Sequence, residues 1–201
     1  MNLSCQSIKN DVKEILMKEK GSKFIGFAFS VENEDEINAK LLELKEIYPD
    51  ATHHCYAYRL GFDGEIYRAN DDGEPSGSAG IPIYNQIRSA ELTYTLVVII
   101  RYFGGTKLGV GGLIQAYKKA AELTLAEAEK ISFIQKEKYF IKFEYAQQNE
   151  VQKILESINA EITQQNFIDF VEFHFEVPKS KELMQRNVFE EIQHLIDLKK
   201  V

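Results

Sequence analysis

Leu96-Val97-Val98-Ile99-Ile100-Arg101-Tyr102-Phe103-Gly104-Gly105-Thr106-Lys107-Leu108-Gly109-Val110-Gly111-Gly112-Leu113 is the stretch on which the fold turns. Its first five residues are an unbroken apolar run rich in β-branched side chains, the pattern of a strand covered on both faces. A glycine-rich loop follows over residues 104–112. Residues 113–130, rich in Ala and Leu, then read as a long helix. Strand, glycine loop and helix in that order can aim backbone N–H groups and a helix N-terminus at an anion. The same glycines also suit close packing, because they let a helix approach a sheet and adopt angles closed to other residues. Both readings stand at this point. The loop is not a Walker A, since Val110 holds the position where Lys is required. Nor is it a dinucleotide fingerprint, since Ile114 stands in the last glycine's place.

Working outward, Ile25, Phe27, Phe29 and Val31 alternate with small residues and predict a strand with one face in the core. Asn33 or Glu34 opens a helix with Ile37, Leu41, Leu44 and Tyr48 on one face, and Pro49-Asp50 stops it. Residues 53–60 and 65–70 read as a hairpin around Asp63-Gly64. A Gly-, Ser-, Asp- and Pro-rich loop spans 70–82, and a short helix follows over 83–90. The last 67 residues read as a separate unit. Strands are expected at 139–145, 161–168 and 171–177, with helices around Val151–Ile158 and over 183–196, and a short tail strand. That βαββαβ order is the order of a ferredoxin-like unit. The boundary is placed between residues 134 and 135, giving two α+β domains, 1–134 and 135–201.

The chain has 201 residues, 44% apolar and 27% charged, which are ordinary globular values. No apolar run approaches the ~18 residues a membrane span needs, so no membrane partner is expected. The N-terminus lacks the pattern of a secretory signal. Cys5 and Cys55 are the only cysteines and read as free thiols in a reducing cytoplasm. A net charge of −7 does not attract nucleic acid in bulk. Between Pro75 and Ala121, however, the only acid is Glu91, against Arg88, Arg101, Lys107, Lys118 and Lys119. That window carries +4, a local basic surface beside the glycine loop of the kind a phosphate backbone needs.

Asp71, Asp72 and Glu74 could hold a hard cation, or they could belong to a solvated turn, and the turn is favoured. Ser76 and Ser78 sit in no nucleophile elbow and read as turn or cap residues. His53-His54-Cys55 does not close a zinc site, and packing on a strand is favoured, with His53 and Cys55 on one face and His54 on the other. No catalytic residue, metal or cofactor is expected.

Residues 51–58, the 71–82 loop and the Arg101–Leu113 segment together resemble the IMPACT family, whose bacterial members are the YigZ-like proteins. The match is ordered and covers about residues 22–119. It implies an N-terminal domain of the ribosomal protein S5 domain 2-like class and a ferredoxin-like second domain similar to the last domain of translocating elongation factors. Eukaryotic relatives regulate translation through an additional N-terminal domain that this chain lacks, so that part is not carried over. A proline-dipeptidase label given to some members finds no support in these residues. This chain has Ser78 where many members have Thr, and Ile81 and Gln115 where many have Arg. The loss of two guanidinium groups weakens the anion site.

The expected function is therefore a cytoplasmic, non-enzymatic module contacting RNA or the ribosome in the regulation of translation. DNA is not expected as a partner. Phosphate contacts are expected from Arg101, Lys107, Lys118, Lys119 and the backbone of Gly104, Gly105, Gly109, Gly111 and Gly112, with Tyr102 and Phe103 stacking bases if exposed. One alternative is a protein-interaction adaptor using an acidic sheet face at Glu172, His174 and Glu176. The other is a phosphate-ligand enzyme using the glycine loop with Asp71, Asp72 and Glu74.

Overall fold

Two units divide the chain, Met1–Phe133 and Ile134–Val201. The structure, a computed structural model, describes residues 4–179 and the backbone of 197–200. The first unit contains β1 (Ser4–Ile8), β2 (Val12–Glu19), β3 (Ser22–Ser30), α1 (Glu34–Ile47), β4 (His53–Leu60) and β5 (Ile66–Asn70). It continues through α2 (Gly80–Ser89), β6 (Thr95–Tyr102), α3 (Gly109–Ala126) and β7 (Lys130–Ile134), whose last residue is the first of the second unit. Its main sheet has the order β2-β3-β6-β4-β5, with every neighbouring pair antiparallel. β1 and β7 form a separate two-stranded sheet.

β6 is the central strand, as its apolar run predicts. Leu96, Val98 and Ile100 pack with α1 through Ile37 and Leu44. Val97 and Ile99 pack on the other face with α2 and α3 through Ile83, Ile87, Tyr117 and Ala121. Helices on both faces correct the expectation for β3, which is buried on both sides rather than one. Phe27 and Phe29 face α1, while Phe24 and Ala28 face α3. Gly26 lies on the α3 side, where a Cβ would come within 1.8 Å of the Thr124 hydroxyl. Gly26 and Ala28 are small because the helix sits close, while Ser30 stays exposed at the end of the strand.

Asn33 caps α1 by accepting the Glu36 backbone N–H at 3.0 Å, with Glu34, Asp35 and Glu36 complementing the helix dipole. α2 begins at Gly80, three residues earlier than expected. α3 begins at Gly109 and ends at Ala126, so Gly109, Gly111 and Gly112 belong to its first turn and the loop proper is shorter.

The second unit contains β8 (Lys136–Phe143), a 3₁₀ turn at Tyr145–Gln147, α4 (Gln148–Ser157), β9 (Glu161–Phe167), β10 (Val171–Pro178) and β11 (Asp197–Lys200). Its sheet order is β11-β8-β10-β9, antiparallel throughout. Ile141, Phe143, Phe173, Phe175 and Val177 bury one face with Val151 and Leu155 of α4. Tyr145 leaves the strand and is exposed in the 3₁₀ turn. The helix expected over 183–196 lies outside the described residues. No helix among the described residues is long and apolar enough to cross a membrane.

The outer face of β10 corrects another expectation. Glu172 pairs with Lys142 at 3.0 Å, and Glu176 lies 3.6 Å from both Lys136 and Lys138. His174 packs on the Phe140 ring. Lysines at alternate positions of β8 thus meet the acids across the ladder, and the face is charge-balanced rather than acidic.

Candidate functional site

The two glycine-rich segments meet at the end of β6 and line one cleft of about 250 Å³. The first supplies Glu74 and Pro75, the second Arg101, Phe103, Lys107, Leu108 and the start of α3.

Glu74 is the hub beneath it. Its side chain is 4% exposed and that of Arg101 is 6% exposed. Arg101 Nη1 donates to Glu74 Oε1 at 2.6 Å, and the Tyr117 hydroxyl donates to the same oxygen at 2.8 Å. His53 Nε2 lies 3.7 Å from it, while His53 Nδ1 and the Asp72 carbonyl are hydrogen-bonded at 2.7 Å. The Cys55 thiol donates to the Asp71 carbonyl at 3.0 Å. Strand alternation places His53 and Cys55 on this face, as predicted, and sends His54 to the α1 side. Burial pushes both the Cys55 thiol and the Tyr117 hydroxyl far above their ordinary ranges, so neither ionises near neutrality.

The expected role of Arg101 is corrected by this geometry. Its guanidinium is not on the surface. It lies between the Phe24 and Phe103 rings, 5.6 Å from each centroid, neutralised by Glu74 and donating to Ser22 Oγ at 3.3 Å. The three carboxylates of the first loop do not converge on a cation position. Asp71 accepts N–H bonds from Gly77, Ala79 and Gly80 at 2.8–2.9 Å and so serves the N-terminus of α2, the role expected of Ser76 or Ser78. Asp72 accepts the His54 backbone N–H at 2.6 Å. Ser76 is exposed; Ser78 is fully buried, and its hydroxyl has no hydrogen-bond partner among the described residues.

Lys107, Gly104 and Gly105 are exposed in the loop. Lys118 and Lys119 lie on an exposed stripe of α3 with Gly111 and Gln115, and Lys119 pairs with Glu122 at 3.1 Å. Sequence reasoning missed the other half of the basic surface. The β2–β3 turn packs directly on the glycine loop, and Gly104 donates its N–H to Ser22 Oγ at 3.2 Å. A Cβ on Gly104 would lie 1.9 Å from the Gly21 carbonyl carbon. Exposed Lys20 and Lys23 flank this contact, and Lys18 stands opposite Lys23 in the ladder. The Lys20-Gly21 turn signal is visible in the sequence, but its docking site is 83 residues away. Because backbone rather than a movable side chain fills the space, Gly104→Ala is expected to cost about 1–3 kcal/mol in urea unfolding.

His54, on the α1 side, is buried, and burial lowers its pKa below the ordinary 6.5; Lys45 adds to this and Asp72 opposes it. The folded state therefore binds its proton less readily than the unfolded chain. The stability this contributes is present above about pH 6.5 and is lost as pH falls toward the lowered folded value. Urea unfolding from pH 7.5 down to 5 should show it, and His54→Gln should flatten that slope.

Residues 20–125 match the Impact N-terminal domain, a stretch running from the β2–β3 turn to the end of α3 and including the whole cleft. The chain belongs to the IMPACT family. IMPACT family member YvyE of Bacillus subtilis (strain 168) is 46% identical over 99 residues, 49% of this chain and 46% of that one. The chain thus matches less than half the length of that relative. IMPACT family member YigZ of Escherichia coli (strain K12) is 29% identical over 164 residues, 81% of this chain and 80% of that one. A crystal structure of a hypothetical protein has a similar fold, with a TM-score of 0.73 at 24% identity, covering 100% of this chain and 98% of its own. The family stretch matched here includes the buried Glu74–Arg101 pair and Lys20, Lys23 and Lys107.

Proposed function

We propose that this IMPACT family member is a non-enzymatic, cytoplasmic binding protein that contacts RNA or the ribosome in the regulation of translation. The observation that carries the reading is the exposed basic surface where the β2–β3 turn meets the glycine loop. Lys20 and Lys23 bracket the turn residues that touch Gly104, Lys18 stands opposite Lys23, and Lys107 lies three residues beyond Gly104, on a chain of net charge −7. Such a local concentration of cations is what a phosphate backbone recognises. Lys118, Lys119 and the amides of Gly109, Gly111 and Gly112 extend it along α3.

The family resemblance assigns residues 1–134 to the S5 domain 2-like class and 135–201 to the ferredoxin-like class. The second assignment is supported by the antiparallel order β11-β8-β10-β9, which numbered within the unit is 4-1-3-2. The enzyme reading loses ground because Asp71 and Asp72 are spent on protein donors and Glu74 is neutralised by Arg101. The adaptor reading loses its acidic face to the lysines of β8.

The test is sedimentation of the tagged protein from lysate at low and high salt, with and without ribonuclease. Comigration with a ribosomal subunit that salt abolishes is expected. Migration at the top of the gradient under every condition would overturn the reading.

A further inference from the structure

The cleft combines features that a plain phosphate-binding surface does not need. Among the described residues, the hydrogen bonds and close pairs of Glu74 go to Oε1, and Oε2 takes none of them. Glu74 lines the cleft, so this oxygen is open to a donor that a ligand brings. Pro75, Phe103, Leu108, Val110 and Leu113 make the walls apolar. At the rim, the eighteen-residue α3 starts with no side-chain cap and no acid in its first turn, and Lys107 stands beside it. Its first N–H groups and the positive end of its dipole suit an anion.

One chemical unit meets all three demands at once. It has a flat apolar body, a donor edge and a phosphate. We propose that the cleft takes an unstacked, amino-bearing base of single-stranded RNA. The base lies against Phe103, its exocyclic amine donates to Glu74 Oε2, and its phosphate sits at the first turn of α3 with Lys107. The proposal rests on the RNA reading above and narrows it to single strands. About 250 Å³ is below the ~300–1,000 Å³ of drug-sized ligand sites and suits a single base. Arg101 offsets the charge of Glu74, so the carboxylate accepts a hydrogen bond without repelling the phosphate as a bare anion would. Cytosine presents an amine to such an acceptor. Uracil presents carbonyls on either side of its one N–H and is repelled.

The test is anisotropy of short labelled RNAs at about 50 mM salt. Oligo(C) is expected to bind about tenfold more tightly than oligo(U), and than a duplex of equal length. Phe103→Ala, at a side chain 47% exposed, is expected to erase most of that preference and leave duplex binding unchanged. Val110→Glu places an acid at the first turn of α3, which supports the helix, so it should weaken oligo(C) binding without lowering stability. Equal, salt-sensitive binding of oligo(C), oligo(U) and duplex would overturn the base site and leave the RNA reading intact. No binding of any RNA would overturn both. Cytidine monophosphate binding as tightly as the strand would overturn the assignment to a strand.

Discussion

Glu74→Ala is expected to lower the unfolding free energy of the protein by about 3–5 kcal/mol, the cost of breaking a buried ion pair from one side. The Arg101 guanidinium would be left with Ser22 as its hydrogen-bond partner while its side chain stays 6% exposed. The Tyr117 hydroxyl would lose the acceptor it now holds at 2.8 Å. Because Glu74 joins the 71–79 loop, β6 and α3, the loss removes the tie among three segments distant in sequence. Glu74→Gln keeps the shape and one carbonyl acceptor and should cost distinctly less. Urea unfolding monitored by circular dichroism reads both. A Glu74→Ala variant within about 0.5 kcal/mol of the parent, the usual range for surface changes, would show that the pair does not hold the site together.

Reversing Lys20, Lys23 and Lys107 to Glu together is expected to reduce RNA affinity by more than about a hundredfold at 50 mM salt. Each phosphate contact on a single strand contributes about 0.7 to the slope of log K against log salt, so removing three should flatten it by about 2. All three side chains are exposed and the fold should be unaffected. Lys153→Glu, on exposed α4 in the other unit, is the control and should change affinity little. Loss of affinity in the control equal to that in the triple variant would assign binding to overall charge rather than to this surface.

Much of this architecture is legible in the residues. The run at 96–100 announces a strand covered on both faces, and the stripe Ile37-Leu41-Leu44 announces α1. What escapes is what depends on distant partners. β2 hides because Glu14, with φ of 61°, sits at a register shift that breaks the alternation of Val12, Ile15 and Met17. β1 and β7 are short and pair with each other outside the main sheet. Arg101 counts as an available cation until Glu74, 27 residues upstream, is found against it. Lys20 and Lys23 lie outside any sequence window around Gly104 and join it only through the Gly21–Gly104 contact. The candidate site was therefore half legible: the glycine loop and Lys107 stand out in sequence, but the floor of the cleft and the lysines of the neighbouring turn do not. Glu172 and Glu176 looked like an acidic face because their lysine partners sit on another strand.

The central question is whether this acidic chain binds RNA through a local cluster of cations. The measurement that decides it is the affinity of the unmodified protein for a single-stranded RNA, titrated in monovalent salt. Binding is expected at about 50 mM salt and should weaken linearly on a double-logarithmic plot, with a slope of about −2 to −3 for three or four phosphate contacts. No binding at low salt, or binding indifferent to salt, would contradict it.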